Sequence, residues 1–346
     1  MVSVKRSLGA GSIAVALALT AACQKAGPNA AYDNYLGRLE RTLEVNAPQP
    51  LDTPLPRLPR VGKLGHDIPP GNLDALDFLA ISGCAVQITI GKRNSSLGRM
   101  ATPSQRLLLE LEYLQLAPEC IDYQRQQGNQ QLAQDLQTAW LQKKQQLPAR
   151  VFNATLAGGE YRAFWRAGAT DSNYPADTGS QVISALEAIN ADVRRWLSGD
   201  YSADNTAFEL RLADVATGDG GALLRALSEQ AGWLDAADAT VNLRLARGPL
   251  CGPSRRPPAA DILTNVIRKY FIGDIQPRAA ALGSRYHQLL PPIEDLEQLL
   301  SNSLSPPYMQ WLEQRNSALV KLQAAPREHV QLLQKLQAPC QTDALG

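Results

Sequence analysis

Apolar residues in this chain return every three or four positions, segment after segment, and that spacing restricts it to helices with one buried face. Tyr32, Leu36, Leu39 and Leu43 form one such line between Ala30 and Val45. Leu107, Leu111 and Leu114 form a second, and Leu132, Leu136 and Trp140 a third. The same spacing predicts helices at Ala149 to Arg166, Gln181 to Leu197, Thr206 to Val215 and Leu223 to Leu245. A C-terminal group follows at Ile262 to Phe271, Ile293 to Leu300, Tyr308 to Leu322 and Val330 to Leu336. Leu73 to Arg93 is apolar on most sides and reads as a buried central helix. Its stretch Val86-Gln87-Ile88-Thr89-Ile90 also alternates as a strand does, but no second alternating run offers a pairing partner. The expected fold is all-α, a multi-helix bundle with Pro-rich connecting segments and two disulfides.

Local start signals support these elements. Thr102, Pro103 and Gln105 have the spacing of a capping box with proline at the first helical position. Ser305-Pro306 and Ala325-Pro326 read as two further starts. Ten glutamines fall between Gln124 and Gln146, yet the apolar line persists through them, so they form a solvated helix face. From Asn46 to Pro70 the chain is proline-rich and prefers extended geometry. That strap either docks a partner or lies across the protein's own helices, and the second reading is the more economical.

The first residues carry an address. Lys5 and Arg6 precede an apolar run from Leu8 to Ala22, which is too short to span a bilayer core comfortably and reads as a removable signal peptide. Leu19-Thr20-Ala21-Ala22 leads directly into Cys23, in the manner of a bacterial lipobox, although Thr20 stands where leucine is usual. Cys23 is therefore the expected site of lipidation, and its acyl chains the expected membrane anchor. Gln24 stands where aspartate commonly signals inner-membrane retention, which favours an outer-membrane location facing the periplasm. The organisation read from these features is residues 1–22 as signal peptide and residues 23–70 as lipidated N-terminus, short helix and strap. Residues 71–250 follow as the main helical domain and residues 251–346 as a C-terminal helical group, either a subdomain or the last helices of the same bundle.

With Cys23 committed to lipid, Cys84, Cys120, Cys251 and Cys340 remain, an even set suited to disulfides in an oxidising compartment. Three pairings are open. Cys84 and Cys120 lie at equal sequence distance from the turn at Ala101-Thr102-Pro103, which places them opposite each other in a helical hairpin and favours Cys84 with Cys120 and Cys251 with Cys340. No CxxC or close histidine pair supplies a metal site, and no cofactor motif is present. The near-neutral charge, +1 for the whole chain, gives no reason to expect nucleic acid as a partner.

The runs Leu76-Asp77-Phe78-Leu79, Ser82-Gly83-Cys84, Arg93-Asn94-Ser95-Ser96-Leu97-Gly98, Pro103-Ser104-Gln105-Arg106-Leu107 and Cys120-Ile121 resemble an uncharacterised proteobacterial lipoprotein family, catalogued as domain of unknown function 3080. The resemblance is sharpest from Leu73 to Ile121. It implies a lipoprotein context, no known activity and no assigned site residue.

Catalytic patterns are missing: there is no GxSxG, SxxK, HExxH or phosphate-cradling glycine loop, and no catalytic residue can be assigned. His66, His287 and His329 sit in contexts that are more often structural. The most unusual cluster is Arg93, Asn94 and Ser95, where a guanidinium fork suited to carboxylate or phosphate stands beside an amide and a hydroxyl. The plainer reading is a helix end whose carbonyls these side chains cover, with Gly98 permitting the turn. Arg315-Asn316-Ser317 echoes the cluster without evidence of duplication. The expected role is a binding or accessory protein of the cell envelope, tethered to a membrane and serving as an adaptor for an envelope protein or glycan. An enzyme is the less expected class; its form would be an envelope hydrolase using carboxylates with no sequence signature. A carrier of a hydrophobic ligand would instead need a closed cavity.

Overall fold

The computed structural model describes residues 27, 29–69, 81, 83–166, 168, 173–252 and 255–340. Among them every regular element is helical, and the extended pairing consists of an isolated bridge between Gly252 and Arg255. The elements are α1 (Ala30–Leu43), α2 (Val61–Leu64), α3 (Val86–Asn94), α4 (Ser96–Met100), α5 (Pro103–Gln126), α6 (Gln130–Ala154) and α7 (Gly159–Phe164). They continue with α8 (Gln181–Ser198), α9 (Asn205–Ala216), α10 (Gly220–Leu245), α11 (Pro258–Val266), a wide π turn (Ile267–Ile275), α12 (Gln276–Leu299) and α13 (Pro306–Gln337). No helix among the described residues is long and apolar enough to cross a membrane.

The ambiguous alternation at Val86 resolves as helix. Val86 and Ile90, four apart, turn inward, while Ile88 between them faces out. The helix starts later than the expected Leu73 to Arg93: Gly83, at φ 90°, and Cys84 precede it outside the helix, and residues 73–80 and 82 lie outside the described residues. The capping box forms as read: Thr102 Oγ1 accepts from the Gln105 amide at 3.3 Å, and Gln105 Oε1 accepts from the Thr102 amide at 3.1 Å.

Three further expected boundaries are overturned. Ala325-Pro326 starts nothing, because α13 runs through Pro326 to Gln337. Its buried line Leu319, Leu322, Ala325, His329, Leu333 and Leu336 stays in register across the proline, so packing offsets the roughly 3 kcal/mol cost of an interior proline. By the same means α12 passes Pro291 and Pro292 and starts at Gln276, not at Ile293. The helix expected over Ala149 to Arg166 is two: α6 continues through Pro148 to Ala154, and a tight turn separates it from α7. At that turn a side chain on Gly158 would lie 2.9 Å from the Thr155 carbonyl oxygen, so close packing requires glycine there.

The main core draws on α1, the strap and the helices from α5 to α13, so residues before and after Cys251 share one apolar interior. α13 packs against α10, and α1 packs against α10 and α11. A smaller core around Ile81, Val86, Ile90, Tyr113, Ala117 and Leu136 lies towards the far end of the long α5–α6 hairpin. Cys84 and Cys120 are joined, with Cα atoms 5.4 Å apart, and tie the start of α3 to α5; Cys251 and Cys340 are joined as well. Both pairings are those the hairpin argument favours.

The strap lies on the protein's own helices. A side chain at Gly232 of α10 would meet the Leu51 carbonyl oxygen at 2.4 Å, and Ser228 Oγ donates to the Thr53 carbonyl at 2.9 Å. Further along, Asn153 of α6 pins His66 by two backbone hydrogen bonds of 2.8 and 2.9 Å. That clamp carries Asp67 and Ile68 to the junction of the two cores, where the candidate site lies.

Candidate functional site

The site is built around a buried carboxylate. Glu110 projects from α5 into the junction, and three cations from two other helices converge on it. Arg93 Nε, from the last turn of α3, is 3.0 Å from Glu110 Oε1. Lys143 Nζ of α6 donates to Glu110 Oε2, and an Arg150 terminal nitrogen, about two turns further along α6, is 3.9 Å from Oε1. Arg150 is largely buried, and its Nε meets no acceptor among the described residues.

The electrostatics follow from this three-to-one imbalance. Burial alone raises the Glu110 carboxyl, but attraction from Lys143, Arg150 and Arg93 outweighs it and holds the group below the usual carboxylate range. Lys143 experiences the converse. Burial, joined by repulsion from Arg93 and Arg150, outweighs the pull of Glu110 and brings the ammonium down to about 8. The buried cluster thus carries more positive charge than its carboxylate balances.

Above the cluster opens a cleft of about 540 Å³. Arg93, Arg99, Arg106 and Arg150 line it, facing Asp67 and Glu110, with Asn94 and Gly98 on the α3–α4 wall. One Arg106 terminal nitrogen donates to the Arg99 carbonyl at 2.8 Å, which leaves its other guanidinium donors to the cleft and solvent. The α3–α4 wall depends on Gly98 through contact: a Cβ there would fall 2.3 Å from the Lys92 carbonyl oxygen. Any larger residue would therefore lift α4 off the end of α3.

Of the three residues singled out from sequence, Arg93 and Asn94 line this cleft and Ser95 does not. The Ser95 hydroxyl donates to the Lys92 carbonyl at 2.6 Å and accepts from the Gly98 amide at 3.1 Å, closing one helix and opening the next. Glu110, Lys143, Arg150, Arg99 and Arg106 escaped the sequence reading. A glutamate and a lysine at buried positions of otherwise apolar helix faces were the available signal.

The family described as Protein of unknown function (DUF3080) matches residues 32–343. The chain belongs to DUF3080. No curated protein and no solved structure matches it. The DUF3080 match runs from within α1 past the end of α13, so the arginine cleft, both disulfides and the strap all lie inside the family region.

Two other polar clusters in this DUF3080 chain are sealed. Arg315 of α13 donates to both oxygens of Glu297 at 2.7 and 2.9 Å, with Tyr161 and Tyr308 hydroxyls also on that carboxylate and the Trp165 and Trp311 rings packed on the guanidinium. The Arg315 echo of Arg93 is therefore a core ion pair. His329 bridges Tyr35 Oη, at 2.8 Å from Nε2, and Asp238 on Nδ1. That order resembles an acid–imidazole–hydroxyl relay, but burial raises the Tyr35 phenol well above its ordinary range and the ring is buried. Nε2 and the phenol oxygen share one hydrogen bond, and Nδ1 donates to the Asp238 carboxylate. His66 Nε2 is within 2.7 Å of the Ser303 carbonyl, and His287 is exposed against Tyr286. Among the described residues no group of three or more His, Cys, Asp or Glu side chains could hold a metal ion.

Proposed function

We propose that this protein is a membrane-tethered envelope lipoprotein that works by binding, and that the arginine cleft captures a phosphate or carboxylate group of an envelope glycan or protein. The carrying observation is the surplus of cations: Arg93, Lys143 and Arg150 share the single carboxylate of Glu110, while Arg99 and Arg106 line the same cleft. Guanidinium groups fit planar or tetrahedral oxyanions through paired N–H donors, and a partly dry cleft strengthens that attraction.

The signal sequence and Cys23 support a lipid anchor at an outer membrane facing the periplasm, and two disulfides suit an oxidising compartment. A hydrolase reading would need an acid free to give and take a proton. Glu110 is held ionised by three cations, which removes it from that role.

Titration calorimetry with inorganic pyrophosphate tests the proposal. Saturable binding that is lost in Arg99→Ala/Arg106→Ala is the expected result. Absence of binding, or binding unchanged in that variant, overturns it.

A further inference from the structure

The arginine cleft shares a wall with a second, apolar concavity. A shallow groove of about 910 Å³ runs from the α3–α4 junction across α5 to α9, and Gly98 and Leu109 line both it and the cleft. Its rim carries large apolar side chains in the open: Leu97 is 83% exposed, Met100 85% and Leu210 of α9 61%. Leu97 and Met100 are three apart on α4 and so project from one side of it. Ile88, 66% exposed, lies one helical turn before Lys92 on α3, and Lys92 also lines the groove. Four exposed apolar side chains beside two exposed arginines, Arg99 and Arg106, are unusual on a surface that has ample polar residues elsewhere. Glu209 also lines the groove, and Lys92 is paired with Glu112 at 3.0 Å, so the uncompensated positive charge lies on the cleft side.

We infer that this face docks on an anionic phospholipid bilayer, with Leu97 and Met100 entering the interface and a lipid phosphate seated among Arg93, Arg99 and Arg106. The inference rests on the anion-capture reading and names the anion as a lipid headgroup. Charge complementarity and the shared wall choose the occupant: a molecule that is anionic at one end and apolar at the adjoining end matches cleft and groove together. Apolar side chains at an interface and cations near an anionic leaflet act additively, each cation adding about fivefold to partitioning. A chain tethered by lipid at Cys23 would thereby be held with α4 against the membrane, which orients the rest of the bundle.

The test uses the mature chain, residues 23–346, carrying Cys23→Ser so that no acyl chain contributes. Vesicles of pure phosphatidylcholine and of phosphatidylcholine with phosphatidylglycerol are sedimented with it. Binding only to the anionic vesicles, reduced about tenfold or more in Leu97→Ser/Met100→Ser and by high salt, is expected. Both substituted positions are exposed, so the variant keeps its fold, which circular dichroism checks. Equal binding by that variant, or none to anionic vesicles, overturns the inference. So does self-association in the absence of vesicles that the same variant abolishes, since the face would then be an interface between copies. If vesicle binding fails while pyrophosphate binding persists, the membrane inference falls and anion capture stands; if both fail, both fall.

Discussion

Arg93, at the end of α3, is held 3.0 Å from the buried Glu110 of α5, so the orientation of a surface cleft depends on an ion pair inside the protein. The pair is part of a cluster in which one carboxylate serves three cations from two helices. Removing the carboxylate is therefore a different perturbation from removing any one cation.

Glu110→Gln leaves Arg93, Lys143 and Arg150 facing one another without a counter-charge. Breaking a buried pair from one side costs about 3–5 kcal/mol, and a fall of that size in unfolding free energy is expected by urea titration. Lys143→Met leaves Glu110 with two cations and should cost much less. Equal losses in the two variants would contradict the account of a cationic surplus.

The depressed Lys143 ammonium predicts a pH dependence of anion binding. It faces Glu110 and Tyr113 of α5, Arg93 of α3 and Arg150 of its own helix, and it loses its proton near pH 8. Affinity for pyrophosphate should fall as pH rises through about 8, and Lys143→Met should flatten the profile. The effect on stability has the opposite sign. Between about 8 and the unfolded value of about 10.4 the unfolded chain binds more protons, so this group favours folding increasingly as pH rises across that window. A calorimetric pH series on wild type and variant would read both.

The two disulfides should differ in what they support. Cys84–Cys120 closes 36 residues and fixes α3 on the hairpin, whereas Cys251–Cys340 closes 89 residues within the larger core. Each is expected to contribute about 2–4 kcal/mol. Only Cys84→Ala/Cys120→Ala should also weaken pyrophosphate binding, because Arg93 and Asn94 sit at the end of the helix it tethers. Equal binding by both double variants would separate the cleft from its tether.

The sealed Arg315–Glu297 pair gives a stability prediction without a functional one. Arg315→Met strands a buried carboxylate beside two phenols and should cost about 3–5 kcal/mol, while Arg315→Met/Glu297→Leu should recover most of that loss in the same denaturant measurement. Anion binding by the double variant should match wild type, since neither residue lines the cleft.

What the sequence by itself determined is short-range. Apolar spacing specified helices, because a helix brings residues three and four apart onto one face whatever surrounds it. Thr102 and Gln105 form their capping box within four residues, and equal distance from a turn was enough to pair Cys84 with Cys120. Arg93 stood out by its chemistry alone. Only the tertiary structure decided which helices cross their prolines, since the cost at Pro326 is local while the compensation comes from contact with α10. It alone brought Lys143 onto Glu110 from 33 residues away and Arg150 beside them. It also separated Arg93, in an open cleft, from Arg315, whose similar neighbourhood in sequence ends in a closed core. The physical reason is that a charge takes its meaning from the dielectric and the partners around it, and both are set by folding.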